Sequence, residues 1–270
     1  MGDLSLILGT VFSQIAIGTF ITTFVVAYLL KKADGQAAFK SILVAFIIGV
    51  LGIGTMILHL GHPFLAMNAF FNLGRSWLSR EVLFYGGFLG LTFLYLVCNK
   101  LNKENLLKPL GIVACILGIC AVFVTSMIYT VPSIVAWNSV NTPLSFALTA
   151  IMIGIPLGVY LTNATDLVVD ASRLIGTFTL VAITTTLVHT STLTSSVAAG
   201  AGTAHLLLTS PLFWMRLILL SLVCLMSIVV TLRYKGKSAC PFNYRLIAII
   251  MLVAAEFIGR TLFLGTIVRM

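Results

Sequence analysis

The chain reads as an all-α integral membrane protein, one domain over residues 1–270, with eight transmembrane helices and both termini on the outer face. Three observations predict this class. The composition is 60% hydrophobic and only 9% charged, whereas soluble domains sit nearer about 45–50% apolar and about 25% charged. Mean hydropathy is +1.13. A span needs roughly 20 apolar residues, so 270 residues hold about eight spans with short loops.

Punctuation between the apolar runs sets the elements. The first helix runs from about Leu4 to Leu30 and stops at Lys31-Lys32-Ala33-Asp34-Gly35. No basic segment precedes it, so it reads as a retained helix rather than a cleaved signal peptide. The second, about Ser41 to Leu60, is ended by Gly61-His62-Pro63. The third runs from about Glu81 to Cys98 and the fourth from about Leu110 to Thr130, with Pro132 beyond it. The fifth spans about Pro143 to Thr165, the sixth Arg173 to Val197, the seventh Pro211 to Leu232 and the eighth Tyr244 to Val268. No internal repeat and no separate soluble domain is visible.

Charge placement sets the orientation. Lys31, Lys32, Lys40, Lys100, Lys103, Lys108, Arg173, Arg233, Lys235, Lys237 and Arg245 all fall on one set of alternate loops. The opposite loops and the C-terminal tail carry Arg75, Arg80 and Arg269, while Arg216 and Arg260 lie within spans. By the positive-inside rule the first set is cytoplasmic. The net charge of +9 is thus an orientation signal, and no nucleic-acid partner is implied. The five cysteines, Cys98, Cys115, Cys120, Cys224 and Cys240, contain no CxxC pair. This predicts apolar thiols and no metal or iron–sulfur cluster held by this polypeptide alone.

Against this apolar background the stretch Leu58–Glu81 stands out, with His59, His62, Arg75, Arg80 and Glu81. Ionisable groups are costly near lipid and usually mark places where protons, ions or polar ligands are handled. His189 and His205 also fall in the outer half, and Glu256 and Arg260 are spaced to pair at i,i+4 on one helix face. A histidine at a helix end with a carboxylate nearby suits quinol oxidation, which releases two electrons and two protons. Imidazole ordinarily titrates near about pH 6.5 and accepts such protons, and a partly desolvated Glu81 can pass them on. Phe70, Phe71, Phe84 and Tyr85 could line an aromatic cleft for the ring. The plain structural reading of the same residues is a capped helix end for the histidines, a dipole partner for Glu81 and a structural ion pair for Glu256 and Arg260. A b-type haem would need facing histidines, for which His59 and His189 are the only pair, and none is expected.

The motifs here look familiar. They are His59-Leu60-Gly61-x-Pro63 with Ala66 and Asn68, then Gly74 and Leu78-Ser79-x-Glu81. Tyr129 with the segment ending at Pro143, and Glu256-Phe257-Ile258-Gly259-Arg260, complete the set. Along essentially its whole length the sequence resembles the membrane-anchor subunit of the bacterial dimethyl sulfoxide reductase family of molybdopterin oxidoreductases. That resemblance implies a haem-free menaquinol-oxidising subunit in the bacterial inner (cytoplasmic) membrane, working in anaerobic respiration. It would anchor an iron–sulfur subunit and a molybdopterin catalytic subunit on the outer face. His59 matches the family's quinol-site histidine and Glu81 its acidic partner. The candidate quinol-binding set is therefore His59, His62, Arg75, Glu81, Tyr129, Glu256 and Arg260. The sequence departs from the family at Leu65, where a basic residue is usual.

Two other readings compete. A multi-pass transporter would show broken helices near the midplane, for which Pro156 is the one in-span candidate. A purely structural anchor would use His59 and Glu81 for assembly alone.

Overall fold

The computed structural model describes residues 2–59, 73–234 and 242–265, with side chains for 4–57, 73–234 and 244–265. Among the described residues, all regular structure is helical, and eight helices are long and apolar enough to cross a membrane. The first four are α1 (Gly2–Phe24, continued by a π-helical turn over Val25–Leu29), α2 (Gly35–His59), α3 (Trp77–Lys100) and α4 (Glu104–Tyr129). Next come α5 (Asn141–Leu161) and α6 (Val168–Thr194). A short helix, α7 (Ala198–Thr209), then occupies a connection that the sequence reads as an outer loop, so His205 sits on a helix. The last two spans are α8 (Pro211–Arg233) and α9 (Phe242–Gly265).

Several helices begin earlier than the hydrophobic runs suggest, because polar first turns are capped. The Asp34 carboxylate accepts from Gln36 N ahead of α2 (3.3 Å). Ser76 caps α3 by accepting from Ser79 N (3.4 Å). α4 starts at Glu104 without a side-chain cap and runs through Pro109, its sixth residue. The turns at the opposite ends use left-handed residues: Lys31 after α1, Asn102 between α3 and α4, and Asn163 between α5 and α6. Asparagine tolerates that conformation better than most residues.

The bundle has two halves. Helices α1 to α4, with one face of α5, share one apolar core, centred on Phe20, Phe88, Tyr95 and Phe146. Helices α5, α6, α8 and α9 form the other with the far face of α1, around Val11, Met152, Leu220 and Leu252. The seam is a close crossing of α1 on α5. A Cβ built on Gly18 would strike the Ala150 carbonyl, one on Gly154 would strike the Gly18 backbone, and one on Gly158 would meet Thr22. Small residues four apart on both helices let the backbones touch, the usual device where lipid provides no hydrophobic drive. Many hydroxyls inside the spans bond carbonyls one turn back, as Thr92 does on Phe88 O (2.8 Å) and Thr179 on Ile175 O (2.7 Å).

This topology places the start of α1, the ends of α2, α4, α6 and α9 and the starts of α3, α5 and α8 on one face, referred to below as the terminal face.

Candidate functional site

Of the polar side chains predicted to matter, Glu81, Glu256 and Arg260 lie within about three helical turns of the terminal face, in two separate groups. The first lies between α3 and α4. Glu81 is buried, 8% exposed, and its Oε1 accepts from the Thr125 hydroxyl at 2.6 Å. Among the described residues no salt bridge reaches it. Burying a carboxyl is costly unless it is hydrogen-bonded or paired, so Thr125, which nothing in the sequence singles out, is its main support here. His59 is the last residue of α2, and its side chain lies outside the described residues. His62, Phe70 and Phe71 lie outside them altogether. Arg75 is exposed in the turn before α3. Arg80 does not turn to Glu81: its Nε and Nη2 donate to Leu73 O and Gly74 O (both 2.9 Å), with the guanidinium 4.3 Å above the Trp77 ring. Tyr85 is part of the core wall, its hydroxyl donating to Gly49 O on α2 at 2.8 Å.

The second group lines a partly open polar cavity of about 90 Å³ bounded by α5, α6, α7, α8, α9 and the loop after α4. Its charged residues are Arg216, Glu256 and Arg260, and His189, Thr149 and Trp137 also line it. Here the structure corrects the sequence. Glu256 does not pair with Arg260 but with Arg216 of α8, Nη2 to Oε1 at 3.3 Å, and its other oxygen accepts from Thr149 at 2.5 Å. Arg260 instead donates to Gln14 Oε1 at 2.9 Å and lies flat against Phe146, Cζ 3.6 Å from the ring centroid. Arg216 can lie across α9 because Gly259 is there: a Cβ at 259 would fall 2.7 Å from the Arg216 Cζ. Arg216 is visible in the sequence as a charge within an apolar run, but its partner, forty residues away, is not. Gln14 and Thr149 carry no sequence signal at all.

Tyr129 stands between the groups. It packs against Trp137, Phe146 and Phe263. Trp137 fixes the loop after α4 by donating its Nε1–H to Phe263 O at 2.8 Å. Among the described residues, no three His, Cys, Asp or Glu side chains are grouped to hold a metal ion.

Fold and polar groups together define a multi-span helical membrane protein with two groups of buried ionisable side chains near one end of the bundle. The family of DMSO reductase anchor subunits (DmsC) matches residues 1–266, and the protein belongs to that family. It is 31% identical over 278 residues to the C subunit of the anaerobic dimethyl sulfoxide reductase of Escherichia coli (strain K12), an alignment spanning 96% of this sequence and 93% of the relative. The corresponding C subunit of Haemophilus influenzae is 31% identical over 159 residues, 57% of each protein. The anaerobic dimethyl sulfoxide reductase polypeptide YnfH of Escherichia coli (strain K12) is 27% identical over 153 residues, 55% of this sequence and 54% of the relative.

Proposed function

We propose that this anchor subunit binds menaquinol near the terminal face, between the end of α2 and the start of α3, and oxidises it for a partner subunit. The reading carries over to this protein the bacterial inner membrane and the two partners that a DMSO reductase anchor implies, an iron–sulfur subunit and a molybdopterin catalytic subunit. Segregation of Lys and Arg to the opposite loops supports a terminal face directed outward, which is where those partners would dock.

The observation that carries the reading is Glu81, a buried carboxyl held, among the described residues, by a hydroxyl and not by a cation. A carboxylate locked to an arginine is a poor proton carrier, whereas one held by a threonine is free to take and release a proton. A quinol hydroxyl needs an acceptor, and His59 ends α2 on the face where α3 begins. In the proposed step His59 and Glu81 accept the two protons, the two electrons leave for the partner's iron–sulfur cluster, and the quinol becomes quinone. Tyr129 orients the surrounding ring wall.

The test is the complex in membranes, driven either by a quinol analogue or by a reduced dye that feeds the catalytic subunit directly. General acid–base catalysis typically contributes about 10²–10⁴-fold. His59→Ala and Glu81→Gln are therefore expected to lower the quinol-driven rate at least about a hundredfold and to leave the dye-driven rate intact. Equal rates in wild type and both variants would return the protein to a purely structural anchor.

A further inference from the structure

A groove of about 710 Å³ runs over the α1–α5 crossing and shares no lining residue with the polar cavity. That volume is in the range of small-molecule sites, about 300–1,000 Å³. Gly18 and Ala150 belong to its floor, and α4 and α6 supply its walls. Ile119, Phe123 and Leu174 on its lips are exposed, so the groove opens toward lipid. Along α5 it extends from Pro143 to Val159, about 24 Å at about 1.5 Å per residue. Apart from Thr22 and Asp170 its lining residues are apolar, which suits a hydrocarbon chain.

A slot of that kind takes any acyl chain, and the rim at its inner end is what discriminates. Leu30 and Leu167 line that end, on the face opposite the terminal one, which the segregation of Lys and Arg reads as cytoplasmic. The aspartates there are each engaged: Asp166 by Lys32 (3.2 Å), Asp170 by Arg173 (3.0 Å) and Asp34 by Gln36 N (3.3 Å). Lys31, exposed and next to Leu30, has no acidic partner among the described residues. Its backbone is unusual too. The π-helical end of α1 closes through Leu30 N on Val25 O (3.0 Å) and Lys32 N on Val26 O (2.9 Å), with Lys31 at φ 53°. Glycine or asparagine adopts that left-handed conformation at lower cost than lysine, so it is the charge of Lys31 that suits the position.

We propose that the groove seats an acyl chain of an anionic phospholipid from the cytoplasmic leaflet, with the lipid phosphate at Lys31 and Lys32. The two parts of such a molecule need what the two parts of the site offer, an apolar slot and an uncommitted cation. Basic rims between spans on the cytoplasmic side are where anionic headgroups bind. Lys32 contributes as well, since an ammonium carries three donors and its side chain is 46% exposed beside Asp166. The hydrocarbon core is about 30 Å thick, so a chain from one leaflet covers about 15 Å. It therefore passes Ile151, about 12 Å from Val159 along α5. The quinol step uses none of these residues and the proposal does not depend on it.

The test is native mass spectrometry of the full-length protein, delipidated in detergent and titrated with dioleoylphosphatidylglycerol or dioleoylphosphatidylcholine. Thermal unfolding midpoints report the fold of each variant. Wild type is expected to bind one phosphatidylglycerol at least about fivefold more tightly than phosphatidylcholine, the share of one lysine beside an anionic headgroup. Lys31→Asn removes the charge and suits the backbone better, so it should erase that preference without lowering the midpoint. Ile151→Trp fills the groove and should weaken both lipids alike. Equal affinities in wild type, or a preference that survives in Lys31→Asn, would overturn the proposal. A folded Ile151→Trp that binds phosphatidylglycerol like wild type would overturn it as well, because the chain would then lie elsewhere. Displacement of phosphatidylglycerol by a short-chain menaquinone, whose ring carries no charge, would overturn it and make the groove a channel for an isoprenoid tail. Displacement by glycerol phosphate would overturn it in favour of a free-phosphate site at the rim.

Discussion

Removing the charge of Glu256 should destabilise the protein far more than its single ion pair suggests. Glu256→Gln keeps the side-chain shape and an acceptor for Thr149, so what disappears is the negative charge that pairs with Arg216. Glu256 is 4% exposed and Arg216 15% at the side chain, so solvent screens the pair little. Breaking a buried pair by deleting one partner typically costs about 3–5 kcal/mol, because the other charge is left uncompensated. Arg216 keeps a weak contact to Thr186 (3.5 Å) and Arg260 keeps Gln14 and the Phe146 ring, which places the expected loss near the low end, about 3 kcal/mol. At about 1.4 kcal/mol per decade that is more than a hundredfold in the folding equilibrium. The assay is reversible unfolding of the purified protein in mixed micelles with increasing SDS, for wild type, Glu256→Gln, Arg216→Met and the double variant. The double variant should recover to within about 1 kcal/mol of wild type, because a neutral packed pair replaces a buried ionic one. A loss under about 1 kcal/mol in Glu256→Gln, or a double variant no more stable than that single one, would refute the electrostatic argument.

Two further outcomes follow from the packing. Gly154→Ala places a methyl on the Gly18 backbone, where no rotamer can give way, so the α1–α5 crossing must open; overpacking of this kind costs about 1–3 kcal/mol, and an unchanged SDS midpoint would show that the seam is loose. Asp166→Asn removes the Lys32 salt bridge (3.2 Å), but its partners are 46% and 58% exposed, so the expected loss is below about 1 kcal/mol; a larger shift by the same assay would mean the turn between α5 and α6 matters more than its exposure implies.

The eight spans are legible in the sequence because each is an apolar run closed by charge or by Gly, Pro and Asn, and lipid leaves few other ways to satisfy a backbone. Glu81 is legible too as a carboxyl near one end of the third helix, although the structure starts that helix four residues earlier, at Trp77. The length of the capped first turns is not, since Ser76, Asp34 and Pro109 interrupt the hydropathy without interrupting the helix. Helix α7 also escapes, because at 12 residues it is too short to read as a span.

The amino-acid sequence alone determined class, span number and family, because transfer into lipid depends on composition in each window and hardly at all on neighbours. Only the tertiary structure decided which charges meet. Within one helix the i,i+4 rule offers Glu256 to Arg260, but that rule covers local spacing. Whether a third group approaches depends on helix crossings, and here Gly259 lets Arg216 lie across α9 while Gln14, 246 residues away in sequence, takes Arg260. A buried charge takes the partner that packing brings to it, and that packing is set by side chains on several different helices.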